Sequence, residues 1–124
     1  ELYRMPGQQW QRTEQQCQQL YHNWGIRIPD INCSYLTSAV GVVYGTSQKL
    51  AIRKEILQAV SEQYGVSVSA VDSGIRRMID QLEAKPAEGW TQFKAESGFE
   101  AEKPTTGKLI YAIKRYLIQQ KSRE

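Results

Sequence analysis

LAIRKEILQAVSEQYGVSVSAVDSGIRRMIDQL, residues 50–82, holds two apolar stripes of helical period separated at one glycine. In the first, Leu50, Ile52, Ile56, Leu57, Val60 and Tyr64 share one side and leave Lys49, Arg53, Lys54 and Glu62 outside. In the second, Val71, Ile75, Met78, Ile79 and Leu82 recur at i, i+4, i+7, i+8 and i+11, the signature of one helix face. Its other side displays Ser69, Asp72, Ser73, Arg76, Arg77 and Asp80. Gly65 stands where the chain must turn sharply, and a left-handed backbone costs glycine little. The stretch therefore predicts two helices and a short turn, with Ser47 and Ser69 as caps. Val60, Tyr64, Val66 and Val71 are expected to bury against each other, with Ser61 small at the closest approach. Gly74 costs a helix about 1 kcal/mol against Ala, which close packing of another helix would explain.

Working outward, residues 1–12 carry Pro6, Gly7 and several Gln without a sustained period and read as a linker or disordered N-terminal segment. From Thr13, a plausible cap, Cys17, Leu20, Tyr21 and Trp24 form a helical stripe that Gly25 ends. Residues 26–33 read as a loop, and a helix is expected from about Ser34 with Leu36, Ala39, Val40 and Val43 inward. The β-prone run Val40–Tyr44 makes a strand the competing reading, but the spacing favours a helix. After Lys85-Pro86 a short helix carries Trp90 and Phe93 and closes at Gly98. Lys103-Pro104-Thr105-Thr106 leads into a last helix with Leu109, Ile110, Ile113, Tyr116 and Leu117 inside. Lys108, Lys114, Arg115, Lys121 and Arg123 lie on its polar side. The expectation is an all-α fold: about six helices in a compact bundle over residues 13–124, containing a helix-turn-helix at roughly 50–82.

Composition narrows the chemistry. The chain has 124 residues and a formal charge of +3, enough to allow phosphate binding without requiring it. No apolar run approaches the roughly 20 residues that span a bilayer, and no apolar leader is visible, so no membrane role is expected. The first residue is Glu, so a domain excised or processed from a longer chain is expected. Cys17 and Cys33, the only two cysteines, are too few and too far apart for a disulfide framework or zinc site and read as reduced thiols in a cytoplasmic protein. His22, the single histidine, lies off the helical face of Cys17, which argues against a nucleophilic pair. Thr105-Thr106-Gly107-Lys108 has the end of a phosphate loop, but Glu102 replaces its first Gly and Leu109 its last Ser or Thr. No enzyme, cofactor or metal site is expected.

Two helices joined by a Gly-containing turn form the unit that many DNA-binding proteins insert into the major groove. Arg76 and Arg77 sit on the outer side of its second helix, and Arg is well shaped to bind guanine or clamp a phosphate. The competing reading is that Arg76 pairs with Asp72 or Asp80 on a solvated face.

Three blocks carry a resemblance. YLTSAVGVVYG (Tyr35–Gly45), VSVSAVDSGIRRMID (Val66–Asp80) and EKPTTGKLIYAIKRYL (Glu102–Leu117) resemble, in order and spacing, the DNA-binding C-terminal effector domain of the sporulation initiation response regulators of endospore-forming bacteria. The likeness covers about two-thirds of the chain, from Tyr35 to Leu117. It implies a six-helix, sequence-specific transcription regulator whose recognition helix, about residues 69–82, lies in the major groove of double-stranded DNA. It further implies a homodimer or tandem copies on DNA and contact with a sigma factor of RNA polymerase. The positions matching that family's DNA contacts are Ser69, Ala70, Asp72, Ser73, Arg76 and Arg77, the candidates for base contact. Lys49, Arg53, Lys54, Lys108 and Lys114 are the candidates for phosphates. Ala70 and Ser73 stand where the family has Arg, and Arg77 where it has His, so a divergent DNA site or weakened DNA binding is expected. The family's upstream receiver domain has no counterpart in this chain. The alternative is a protein-interaction module on the same fold, docking through Trp90 and Phe93 or the Gln-rich first helix, although core filling is the favoured role for both aromatics.

Overall fold

The computed structural model describes residues 7–27 and 29–123, which form α1 (Gly7–Asn23), α2 (Ile31–Tyr44), α3 (Gln58–Tyr64), α4 (Val68–Ala84), α5 (Glu88–Ser97) and α6 (Thr106–Arg123). Among the described residues there is no strand, so the expected all-α, six-helix class holds, including the helix over the β-prone Val40–Tyr44. None of these helices is long and apolar enough to cross a membrane.

The bundle is built around α2, in which every residue from Tyr35 to Val43 is buried, as is Cys33. A helix apolar on nearly every side belongs at the centre of its neighbours. It starts three residues ahead of Ser34 because Asp30 caps it, its carboxylate accepting from the backbone N–H of Asn32 at 2.9 Å and Cys33 at 3.2 Å. On one side α2 meets α1. That helix begins at Gly7, so the expected linker is helical from there on, while residues 1–6 lie outside the described residues. Thr13 is a buried mid-helix residue rather than a cap. What extends α1 is Trp10, whose ring lies so close over Gly41 of α2 that any side chain there would overlap it.

On the other side α2 crosses α4. A Cβ at Gly74 would collide with the Asn32 side chain and lie 3.2 Å from the Tyr35 ring, so the helix-weakening glycine is there for contact. Val71, Ile75, Met78, Ile79 and Leu82 are all buried along this side of α4, as their spacing predicts.

α3 and α4 are joined by Gly65-Val66-Ser67. Gly65 takes φ 66°, and the Val66 N–H closes onto the Ser61 carbonyl at 3.1 Å, so the first helix stops abruptly. Ser67, not Ser69, caps α4, its hydroxyl accepting from the Ala70 N–H at 3.0 Å. Val60, Ser61 and Val71 are buried at this corner and Tyr64 half-buried, its ring edge-on to Tyr35 at 5.2 Å. Val66 corrects the expectation by facing solvent.

The approach to α3 also differs from its sequence reading. Ser47 does not cap it; the helix opens as a π-helical stretch, Ile52–Leu57, in which the Ile56 N–H reaches the Ala51 carbonyl five residues back at 3.1 Å. The preceding loop is clasped by α6. Tyr111 accepts from the Leu50 N–H at 3.0 Å and donates to the Leu50 carbonyl at 3.3 Å, while Lys114 donates to the Thr46 carbonyl at 3.1 Å.

At the far end, α5 completes an aromatic cluster. Trp90 meets Trp24 edge-on at 4.8 Å, Phe93 lies 5.0 Å from Trp24, and Tyr116 of α6 packs edge-on against Phe93 at 6.0 Å. Gly98, at φ 87°, ends α5 as expected. Thr105 caps α6 by accepting from the Lys108 N–H at 3.1 Å.

Candidate nucleic-acid interface

With Val71, Ile75 and Met78 turned into the bundle, α4 presents Ser69, Ala70, Ser73, Arg76 and Arg77 to solvent. All five are exposed, and neither arginine lies under a neighbouring helix. Arg77 makes no hydrogen bond or ion pair with the described residues.

Asp72, the sixth candidate, does not face outward. It is buried and sits where three elements meet. Its Oδ1 accepts from the Thr106 hydroxyl, at the first residue of α6, at 3.0 Å. Its Oδ2 accepts from Arg53 Nη1, in the π-helical stretch, at 3.2 Å, and forms an ion pair with Arg76 Nε, one turn along α4, at 3.3 Å. A carboxylate is also well placed at the N-terminal turn of α6, where the helix dipole is positive. The side chains of Arg53 and Arg76 remain 56% and 70% exposed, against 12% for Asp72. The pairing of Arg76 with Asp72 foreseen as the competing reading is thus present, yet it leaves most of the guanidinium in solvent.

The five candidates for phosphate contact separate into groups. Arg53 is drawn to the α4 face by Asp72. Lys49 and Lys54 are exposed and have no partner among the described residues. Lys108, two residues into α6, pairs with Glu102 at 2.6 Å. That bond and the ammonium charge hold the exposed Glu102 carboxyl below the usual carboxylate range. Lys114 lies about 12 Å further along α6 than Thr106, at 1.5 Å rise per residue. It is half-buried, tied to the Thr46 carbonyl and 6.0 Å from the Tyr111 ring centre, and is occupied in holding the loop.

At the C-terminal half of the face, Asp80 pairs with Lys103. Beyond it Glu83 bonds Lys94 Nζ at 2.9 Å and Trp90 Nε1 at 2.8 Å. Burial alone would raise the Glu83 carboxyl, but the hydrogen bonds from Lys94 and Trp90 outweigh it and hold the group below its usual range. These acids are taken up by local partners, so the cationic groups that α4 presents to solvent are Arg77, unpaired among the described residues, and Arg76, 70% exposed beside its pair with Asp72.

The chemistry outside this face is spare. Cys17 is fully buried and its thiol is pushed up to about 12, chiefly by burial, so it forms no thiolate near neutrality. His22 is exposed at the end of α1. Among the described residues no group of three or more His, Cys, Asp or Glu side chains comes together as metal ligands. Trp90 and Phe93 are buried, which removes them as docking anchors and gives them the core role.

Sequence reasoning missed the Asp72 junction. Its only signal was position: Asp72 borders the buried stripe beside Val71, and a border residue turns inward when partners wait for it. Those partners, Arg53 and Thr106, are far away along the chain. No protein-family model, curated protein or solved structure matches this chain.

Proposed function

We propose that this chain is a cytoplasmic, sequence-specific DNA-binding transcription regulator in which α3, the Gly65-Val66-Ser67 turn and α4 act as a helix-turn-helix. The observation that carries the reading is the division of α4, with its apolar side sealed in the bundle and Arg76 and Arg77 exposed on the opposite side. In the major groove Arg76 and Arg77, with Ser69 and Ser73, face base edges, while Arg53, Lys49 and Lys54 approach phosphates. The likeness of three sequence blocks to the sporulation regulators' effector domain supports the same reading and extends it to pairing of copies on DNA and to a sigma-factor contact. The loss of Arg at Ala70 and Ser73 means that the DNA site differs from that family's.

Fluorescence anisotropy of the 124-residue chain on a random-sequence duplex, at low and moderate salt, tests the reading. Binding is expected to weaken steeply with salt, because each neutralised phosphate releases counterions. Selection from a random duplex pool is expected to enrich a motif. Arg76→Ala is expected to lower affinity for the selected duplex by roughly tenfold, the scale of a lost bidentate base contact, and to change affinity for the unselected pool far less. A folded chain that binds no duplex at low salt would reject the assignment.

A further inference from the structure

The arrangement of three partners on the Asp72 carboxylate carries an inference about how this face reads DNA, and it rests on the DNA-binding proposal above. Two guanidinium groups, from Arg53 and Arg76, converge on the same oxygen, Oδ2, at 3.2 and 3.3 Å. Like charges so close repel, and the carboxylate between them offsets that repulsion. The second oxygen is bonded to the buried Thr106 hydroxyl, which fixes the carboxylate against α6. Both oxygens are thus engaged inside the protein, and with its side chain only 12% exposed the carboxylate is turned away from a cytosine amino group in the groove. Meanwhile Arg76 meets Asp72 through Nε and is 70% exposed. The edge of its guanidinium that carries the two Nη groups remains for a bidentate bond, the form in which arginine recognises the O6 and N7 of guanine.

We propose that Asp72 is a positioning residue that does not touch DNA. It holds Arg53 and Arg76 as a two-guanidinium clamp, with Arg76 aimed at a guanine edge and Arg53 at the phosphate beside it. Thr106 anchors the carboxylate so that the pair is set before DNA arrives. Ser69, Ser73 and Arg77 are left as the other side chains of α4 that read the groove.

The test compares the wild-type chain with Asp72→Asn and Arg53→Gln on two probes: a duplex selected from a random pool by the wild type, and the unselected pool. Asn keeps an oxygen for Thr106 but removes the charge that gathers the two arginines. Its preference for the selected duplex over the pool is expected to fall roughly tenfold, with pool affinity unchanged or higher because a negative charge is gone. In the free protein, the Arg76 Nε resonance is expected to shift in Asp72→Asn, because the carboxylate charge 3.3 Å away is gone. Arg53→Gln alters an exposed side chain and serves if Asp72→Asn does not fold. It is expected to reduce the salt slope by about one phosphate's worth while the enriched motif stays the same.

An unchanged preference in folded Asp72→Asn, or an unchanged salt slope in Arg53→Gln, overturns the clamp while leaving DNA binding intact. So does a switch of preferred base at a single position in Asp72→Asn, which would make Asp72 a base reader. Equal losses on both probes would reduce it to a structural residue. If the wild type binds neither probe, the DNA-binding proposal itself fails and the clamp falls with it.

Discussion

Replacing Glu83 by Ala should be among the most damaging single changes at the surface of α4, and the loss should be partly reversed by a second mutation. Glu83 accepts from Lys94 at 2.9 Å and from the Trp90 indole at 2.8 Å. The Lys94 side chain is only 9% exposed and that of Glu83 25%. Removing the carboxylate strands a nearly buried ammonium, and breaking a fully buried pair costs about 3–5 kcal/mol. The partial exposure of Glu83 admits water and lowers that figure, while the Trp90 N–H left without an acceptor adds about 1–3 kcal/mol. A net loss of about 3 kcal/mol is expected, equivalent to a fall in Tm of roughly 10 °C for a domain of this size. In the double variant Glu83→Ala/Lys94→Met no charge is stranded and the methionine fills most of the space. It should regain about 2 kcal/mol, leaving chiefly the orphaned indole. Urea unfolding followed by far-ultraviolet circular dichroism measures all three proteins. A cost under about 1 kcal/mol for Glu83→Ala, or a double variant less stable than the single, refutes the argument that burial of Lys94 dominates. The same linkage has an acid signature. The folded carboxyl lies below its usual 4.5, so the unfolded chain binds more protons there, and this contribution is present above that value and fades as pH falls through the lowered one.

Two further outcomes follow from particular contacts. Gly89→Ala introduces a better helix former into α5, worth up to about 1 kcal/mol on its own, yet its Cβ would overlap the Asn23 backbone carbonyl at the end of α1. Because backbone cannot swing aside, a net loss of about 1–3 kcal/mol is expected in the same unfolding assay, and a gain would show that α1 and α5 are free to separate. Cys17 has its thiol pushed from 9.0 to about 12 by burial, so between those values the unfolded chain holds fewer protons and stability falls as pH rises. Below about pH 9 its alkylation by iodoacetamide should be slow in folded protein and fast in urea; comparable rates would place the thiol outside the core.

What the sequence made legible is what depends on neighbours one or two turns away. The Val71–Leu82 stripe and the stops at Gly65 and Gly98 follow from local spacing and from left-handed glycine, and the structure places them where expected. What escaped depends on contacts across the fold. Residues 7–12 have one apolar anchor, Trp10, and its value is invisible until Gly41 is known to lie beneath it. Ser47 looked a sound cap, but the loop it belongs to is held by Tyr111 and Lys114, so the helix starts later. Asp72 reads as an outward-facing base contact from the spacing of its own helix, and it is buried because Arg53 and Thr106 reach it from other elements. The two arginines of α4, whose exposure needs only the phase of their own helix, were placed correctly.

The π-helical opening of α3 sets the angular phase of everything before it. One residue more per turn carries the chain upstream of the stretch round by about 100° relative to an uninterrupted α-helix. Downstream, Val60 and Ser61 keep step with the core; at the head of the stretch, Ile52 comes to rest against Gly107 and Arg53 reaches across to the carboxylate on α4. Deleting a single residue there would let the helix relax to regular winding and swing Arg53 away by the same angle, with every side chain still present in the composition. The cationic face therefore depends on a count of residues as well as on their kinds.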